Sequence, residues 1–493
     1  MNILLASAEV SPFAKAGGLA DVASALPIEW QKYGQSPVVV MPKYRQIDVD
    51  KYGFKPTDIM LIVPMGYSTE FARLWYGYFP GTKTPVYLIE HNFFFDRKGI
   101  YGETDDYADN DRRFIFFSKA VFETAKALSF TPDIIHAHDF HTALTMPLLK
   151  SSYYMDWRFA RTAGVYTIHN LAFQGWFDPD RAMSYMGLPR WDFYPGCWFE
   201  RFGKFNAMKA GIMFADKITT VSPTYAKEIR MDYYSENMQA ALNLRGADLI
   251  GILNGVYYDE WSPETDKLIY ENYGFRSLDA KERNKKSFLF DHGLTEADNL
   301  DVPLVGMVTR LAEQKGIDLI IYKLEEYLAT NQLRIALLGN GKPEYEDFFN
   351  LMKARYPKNA LIKIGYDNTL AHRIIAASDF LLMPSRFEPC GLTQMYSLKY
   401  GTIPIVRLTG GLADTVFEYN PQTGDGTGFH FWQYNADDLA YAMRRGLSIY
   451  KQEPHWDIIR KNAMKQNFSS SHTALEYLKV FKWAIEKVRG GGA

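Results

Sequence analysis

Cysteine is almost missing from this chain. Only Cys197 and Cys390 occur in 493 residues, far apart, which excludes a disulfide framework and suits a reducing compartment. An excess of one charge is missing too. The formal net charge is −2, so no global basic field exists to hold nucleic acid or an anionic membrane. Any anion must be met by local charge. No window of about 18 apolar residues occurs, so no transmembrane helix is expected. The first residues, Met1–Lys15, lack a basic leader region, and Glu9 interrupts their apolar run. They read as a first strand rather than a signal peptide. Hydrophobic residues at 47% and charged residues at 23% exclude disorder, collagen and coiled coil. At roughly 150 residues per domain the length predicts two large domains. One class is in surplus: aromatics reach 15%. Most belong in a core, yet a flat ring also covers the apolar face of a pyranose.

Short apolar runs alternate with turns and helical segments. In the first half they are Asn2–Ala6, Ser36–Met41, Val86–Ile89, Asp133–Ala137, Gly164–Ile168 and Lys217–Val221. In the second half they are Val302–Thr309, Leu333–Leu338, Leu361–Ile364, Asp379–Met383 and Ile403–Val406. Continuous rather than alternating hydrophobicity marks parallel strands covered on both faces, and so an α/β, doubly wound fold. The turn-rich stretch Gly255–Glu264 breaks the alternation and predicts a domain boundary. This gives residues 1–255 and 256–468, with a closing helix at 469–493 allied to the first domain. Leu475, Leu478, Phe481, Ile485 and Val488 form its apolar stripe, and Gly490–Gly492 should fray. Gly17–Asp21 recurs as Gly410–Asp414. Each copy opens a helix, which suggests two analogous loops offering backbone N–H groups.

Several polar loops follow these strands. Lys15 with Gly17 and Gly18 combines a point charge with a backbone that a ligand can approach closely. His136, His138, Asp139 and His141 look like a metal cluster, but the aspartate stands one place early for the binuclear hydrolase pattern. The alternative is a strand end that delivers Asp139 to a ligand. His169 and Asn170 end another strand. Arg310 and Lys315 share one turn and could neutralise a diphosphate without a metal. In Ser385–Gln394, Gly391 and Thr393 make an N–H cradle, while Glu388 suits hydroxyls of whatever the phosphate carries. A sugar nucleotide has both parts. Cys390 reads as a small residue packed at a helix start, with a nucleophile as the alternative.

In order along the chain stand KAGGLADV (Lys15–Val22), HAHDFHTAL (His136–Leu144), HNLAFQG (His169–Gly175) and TTVSPTYAKEI (Thr219–Ile229). They are followed by LNGV (Leu253–Val256), TRLAEQKG (Thr309–Gly316), SRFEPCGLTQMYSLKYGT (Ser385–Thr402) and TGGLADTV (Thr409–Val416). Together they resemble the bacterial glycogen synthase and plant starch synthase family over nearly the whole chain. The resemblance implies a GT-B fold: two Rossmann-like domains facing across a cleft, with the C-terminal helix crossing back to the first. It implies a retaining, metal-independent transferase without a cofactor, which moves glucose from ADP-glucose to the non-reducing 4-hydroxyl of an α-1,4-glucan. Lys15, Gly17, Gly18 and Asp21 would face the donor. Arg310 and Lys315 would hold the diphosphate. Cys390, Gly391, Leu392 and Thr393 would line the phosphate cradle, and Tyr366 would stack on adenine. Glu388 and His169 would orient the glucose, Asp139 would lie beside sugar and acceptor, and Asn254 is a further candidate.

Two departures stand out. Retaining GT-B relatives often carry a second glutamate where this chain has Met395, a replacement shared by the synthase subgroup. The hinge has Tyr257 where aspartate is common. The competing readings are another GT-B transferase using UDP-glucose or a different acceptor, and a non-catalytic glucan-binding protein. The expected setting is a prokaryotic cytoplasm, although a processed plastid protein would read alike.

Overall fold

The computed structural model describes residues 1–103, 105–294 and 301–490. The chain packs as two compact units. One comprises Met1–Gly255 with the terminal helix Ser470–Gly490, the other Val256–Ser469.

The first unit is built on nine strands. From one edge their order is Leu249–Gly251, Lys217–Thr220, Ala163–Ile168, Ile134–His138, Asn2–Ala6, Ser36–Pro42, Pro85–Glu90, Ser68–Tyr78 and Lys55–Met65. The first seven run parallel and the last two form an antiparallel hairpin. The sheet is therefore mixed at one edge. The hairpin escapes a search for continuous apolar runs because its strands have an exposed face. Lys55–Met65 alternates buried Leu61, Val63 and Met65 with exposed Met60 and Ile62. The central strands are fully buried, as Leu4, Val39, Ile134 and Val165 show.

The second unit has six parallel strands in the order Ala360–Ile364, Arg334–Gly339, Leu304–Val308, Phe380–Met383, Ile403–Arg407 and Phe429–Phe431. Numbered along the chain this is 3-2-1-4-5-6, the Rossmann order. The parallel core of the first unit follows the same order with one more strand. Both sheets thus reverse direction beside their first strand. In sheets of this order, ligand-binding loops leave the carboxyl ends of the two strands flanking that point. The flanking strands are Asn2–Ala6 with Ile134–His138 in one unit, and Leu304–Val308 with Phe380–Met383 in the other.

After the second unit the chain returns to the first. Helix Ser470–Gly490 buries Thr473, Ala474, Tyr477, Leu478, Val480, Phe481 and Ala484. Trp30, on helix Gly18–Lys32, donates its indole N–H to Ala474 O at 3.2 Å and meets Phe481 edge-on at 5.1 Å. The buried face centres on Tyr477 and Phe481. Leu475 is exposed, which corrects the stripe expected from the sequence, because the partner surface of Trp30 and His136 selects rings. Gly491 and Gly492, part of the tail expected to fray, lie outside the described residues. Among the described residues no helix is long and apolar enough to cross a membrane.

Candidate functional site

In the second unit, two loops at the reversal point are locked together. Strand Leu304–Val308 leads into the turn of Arg310 and Lys315, and strand Phe380–Met383 into Ser385–Gly391. Gly316 has φ of +69°, and a Cβ there would lie 2.1 Å from Pro384 O, so only glycine lets the loops touch. Lys315 Nζ donates to both oxygens of Glu388, at 2.8 and 2.6 Å, and Ser385 Oγ donates to Glu388 Oε2 at 2.8 Å. Glu388 is only 5% exposed. Lys315, expected to meet a diphosphate, thus neutralises a buried carboxylate from the neighbouring loop. Arg310 is exposed and reaches Gln314 Oε1 at 3.3 Å. A planar cation at the rim and an ammonium beneath suit a polyanion with a neutral, hydroxyl-bearing part beside it.

The loop continues into half-buried Gly391, Leu392 and Thr393, which open the short helix Thr393–Lys399. Gly391 has φ of +73°. The buried Gln394 amide donates to Cys390 O, Gly391 O and Thr415 Oγ1, which fixes the turn. Cys390 is buried here. Tyr366 follows strand Ala360–Ile364 on the same sheet edge, and its ring is 80% exposed, open to stacking. The second glycine pair serves this loop. Gly411 N donates to Glu388 O at 3.1 Å, and a Cβ on Gly410 would lie 1.9 Å from that oxygen.

In the first unit, Asp139 sits where strand Ile134–His138 turns into helix Asp139–Ala143, at a left-handed φ of +52°. Such a backbone strains any residue with a Cβ by roughly 1–2 kcal/mol, and aspartate tolerates it better than most. Its Oδ1 accepts His169 N at 2.7 Å and Asn170 N at 3.4 Å, tying two strand ends together. Burial pushes the Asp139 carboxyl up to about 7 against these two hydrogen bonds. Tyr225 OH accepts Leu171 N at 3.1 Å, which gives the TTVSPTYAKEI segment its task of bracing this loop. Burial pushes His169 down to about 3, so the ring stays neutral. Asn254 is buried at the end of the edge strand, and its Oδ1 has no hydrogen-bond partner among the described residues.

Glu9 was missed by sequence reasoning. Its Oε2 accepts Ala16 N at 2.5 Å and Gly17 N at 2.8 Å, and Tyr101 OH donates to its Oε1. The amides expected to be open to a ligand are therefore held by an internal carboxylate. Gly411 N is likewise taken by Glu388 O, so one amide of each glycine pair is held internally. An acid breaking an apolar run just before a glycine turn was the available signal. Gly17 still faces open space, and Gly18 begins the helix. Lys15 Nζ donates to Asp21 Oδ1 at 2.8 Å, and burial raises the Asp21 carboxyl while Lys15 opposes it.

The histidines of the apparent metal motif serve packing and hydrogen bonding, with His136 and His138 ring to ring at 4.1 Å. His136 packs against Trp30, Tyr477 and Phe481, His138 meets His169, and His141 stacks on Tyr101 at 4.4 Å. Among the described residues no group of three or more histidine, cysteine or acidic side chains could hold a metal ion. Fewer than half of the aromatics are buried, which corrects the expectation that most belong in a core. Trp176 and Phe202, beyond the His169 loop, are exposed and stacked at 6.3 Å.

The family description "Starch synthase catalytic domain" matches residues 2–244, and "Glycosyl transferases group 1" matches residues 295–466. The chain is 42% identical to the glycogen synthase of Thermosipho africanus, covering 99% of this chain and 100% of that one. It is 41% identical to glycogen synthase 1 of Geobacter sulfurreducens, covering 100% and 98%. Among solved structures, the catalytic domain of starch synthase IV from Arabidopsis thaliana, bound to ADP and acarbose, superposes with a TM-score of 0.91. It is 32% identical and covers 98% of this chain and 99% of that one. A sucrose-phosphate synthase from Thermosynechococcus elongatus, 14% identical with a TM-score of 0.60 and 98% of each chain covered, shares the fold. The chain belongs to the glycogen synthase and starch synthase family of glycosyltransferases.

Proposed function

We propose that this chain transfers glucose from ADP-glucose to the non-reducing 4-hydroxyl of an α-1,4-glucan with retention of the anomeric configuration. The observation that carries this reading is the cluster of Arg310, Lys315, Ser385 and Glu388 at the strand reversal of the second unit. It offers two cations to a diphosphate and a carboxylate to sugar hydroxyls. Full-length similarity to curated glycogen synthases, and to a starch synthase bound to ADP and acarbose, supports donor and acceptor classes.

Retention in one step has the acceptor hydroxyl attack on the face that ADP leaves. The C–O bond to ADP breaks as the new glycosidic bond forms, and the departing phosphate oxygen takes the acceptor's proton. The protein's part is to hold charge and geometry. Arg310 and Lys315 stabilise the leaving diphosphate, with the amides of Gly391, Leu392 and Thr393 adding dipoles. Diphosphate would compete with Glu388 for Lys315 and leave the carboxylate for the sugar. In the first unit, Lys15, Asp139 and His169 are the residues assigned to substrate by the family motifs, and in the second Tyr366, exposed at the end of its strand, stacks on the base. A cytoplasmic setting fits two buried, reduced thiols.

ADP release from ADP-glucose and from UDP-glucose, with and without glycogen, tests the proposal. Glycogen-dependent release that favours ADP-glucose is expected. Preference for UDP-glucose, or no glycogen dependence, would overturn it.

A further inference from the structure

His138 ends strand Ile134–His138, and His169 directly follows the neighbouring strand Ala163–Ile168. His138 Nδ1 and His169 Nε2 lie 2.8 Å apart in a buried setting. Two neutral imidazoles at this distance need one N–H donor and one lone-pair acceptor. Burial keeps both neutral, pushing His138 well below its ordinary range and His169 to about 3.

The other nitrogen of His138 decides the direction. Its Nε2 is buried without a hydrogen-bond partner among the described residues. An orphaned buried donor costs roughly 1–3 kcal/mol, and an unfilled acceptor is the more tolerated state. Nε2 therefore keeps the lone pair, which places the proton on Nδ1. Turning the ring over would put Cδ2 in place of Nδ1 and lose the 2.8 Å contact with His169. The ring also packs 4.1 Å from His136, itself wedged against Trp30, Tyr477 and Phe481.

We propose that His138 is a positioning residue that donates its Nδ1 proton to His169 Nε2 and thereby makes His169 a hydrogen-bond donor through Nδ1. His169 then offers an N–H to a sugar oxygen and does not act as a base. What His169 touches rests on the function proposed above; the tautomer does not.

The full chain, with its ten histidines labelled with nitrogen-15, gives the direct reading through long-range proton–nitrogen correlation at pH 7. Signals are assigned by their loss in His169→Gln and His138→Asn. A protonated Nδ1 and bare Nε2 at His169 are expected; a protonated Nε2 would overturn the proposal. Turnover gives a second reading. His138→Asn keeps an amide N–H near the place of Nδ1 and should leave kcat close to that of the unaltered chain. His138→Leu keeps the volume but no donor, and should lower kcat by ~10²-fold, the scale of one lost preorganised donor. Equal loss in both, or greater loss in Asn, would mean that His138 only fills space. If the unaltered chain transfers no glucose, the functional reading fails while the spectra still decide the tautomer.

Discussion

Lys315 and Arg310 separate binding of charge from upkeep of the fold. Replacing either with alanine should lower kcat about 10²–10³-fold, the cost of one preorganised electrostatic group. Lys315→Ala also strips a buried carboxylate of its cation, whereas Arg310 has no carboxylate partner among the described residues. Scanning calorimetry should show a lower melting temperature for Lys315→Ala and an unchanged one for Arg310→Ala. Full turnover in either variant would reject its assignment. Glu388→Ala should depress kcat more than it raises KM for ADP-glucose, and the opposite split would make Glu388 a binding group. The Lys315–Glu388 pair was not legible in the sequence. Both residues stood out for their chemistry, but 73 positions separate them and only the sheet order makes them neighbours. His138 and His169 are related in the same way.

Asp139 makes a prediction about pH. Its folded-state carboxyl is raised to about 7, so the folded chain binds this proton more tightly than the unfolded chain does. Stability from this group is complete below about pH 4 and is lost as pH rises toward 7, with an upper bound of roughly 4 kcal/mol. Asp139→Asn stays neutral and tolerates the left-handed backbone. Denaturant titrations should show the variant gaining on the native chain as pH rises from 4 to 8. Parallel stability curves would contradict the raised carboxyl.

Among the elements, parallel strands were the most readable, because burial on both faces writes a continuous apolar run. The exposed hairpin Lys55–Met65 and Ser68–Tyr78 was unreadable by that rule. The repeated Gly-Gly-Leu-Ala-Asp was legible as a helix start in both places, but its two uses were not. One copy closes on Glu9 and the other presses on Glu388, contacts that depend on distant segments. Gly410→Ala would drive a Cβ into Glu388 O at a φ of +45°, so turnover should fall at least tenfold, the scale of a small misplacement in a reacting site. Wild-type turnover would show that the loop can give way. In the terminal helix, Phe481→Ala should destabilise the first unit by about 3–5 kcal/mol, measured by denaturant unfolding. A loss below 1 kcal/mol would mean that the helix docks through its ion pairs instead, such as Lys487 with Asp248.

For the whole molecule, the same strand order in both units explains why the ordered motifs fall where they do. Each follows a strand, and the charged ones gather beside a reversal point. The sequence carried the resemblance and most of the parallel strands, but not the hairpin or the short edge strands Leu249–Gly251 and Phe429–Phe431. It did not carry which loops would touch, since that is set by strand order rather than by composition. The central claim is glucosyl transfer from ADP-glucose to glucan with retention. Its most direct measurement is proton NMR of glycogen incubated with the chain and ADP-glucose carrying carbon-13 glucose. The account predicts new α-1,4-linked labelled glucose at chain ends, formed together with ADP. Labelled glucose in β linkage, or ADP release without incorporation, would contradict it.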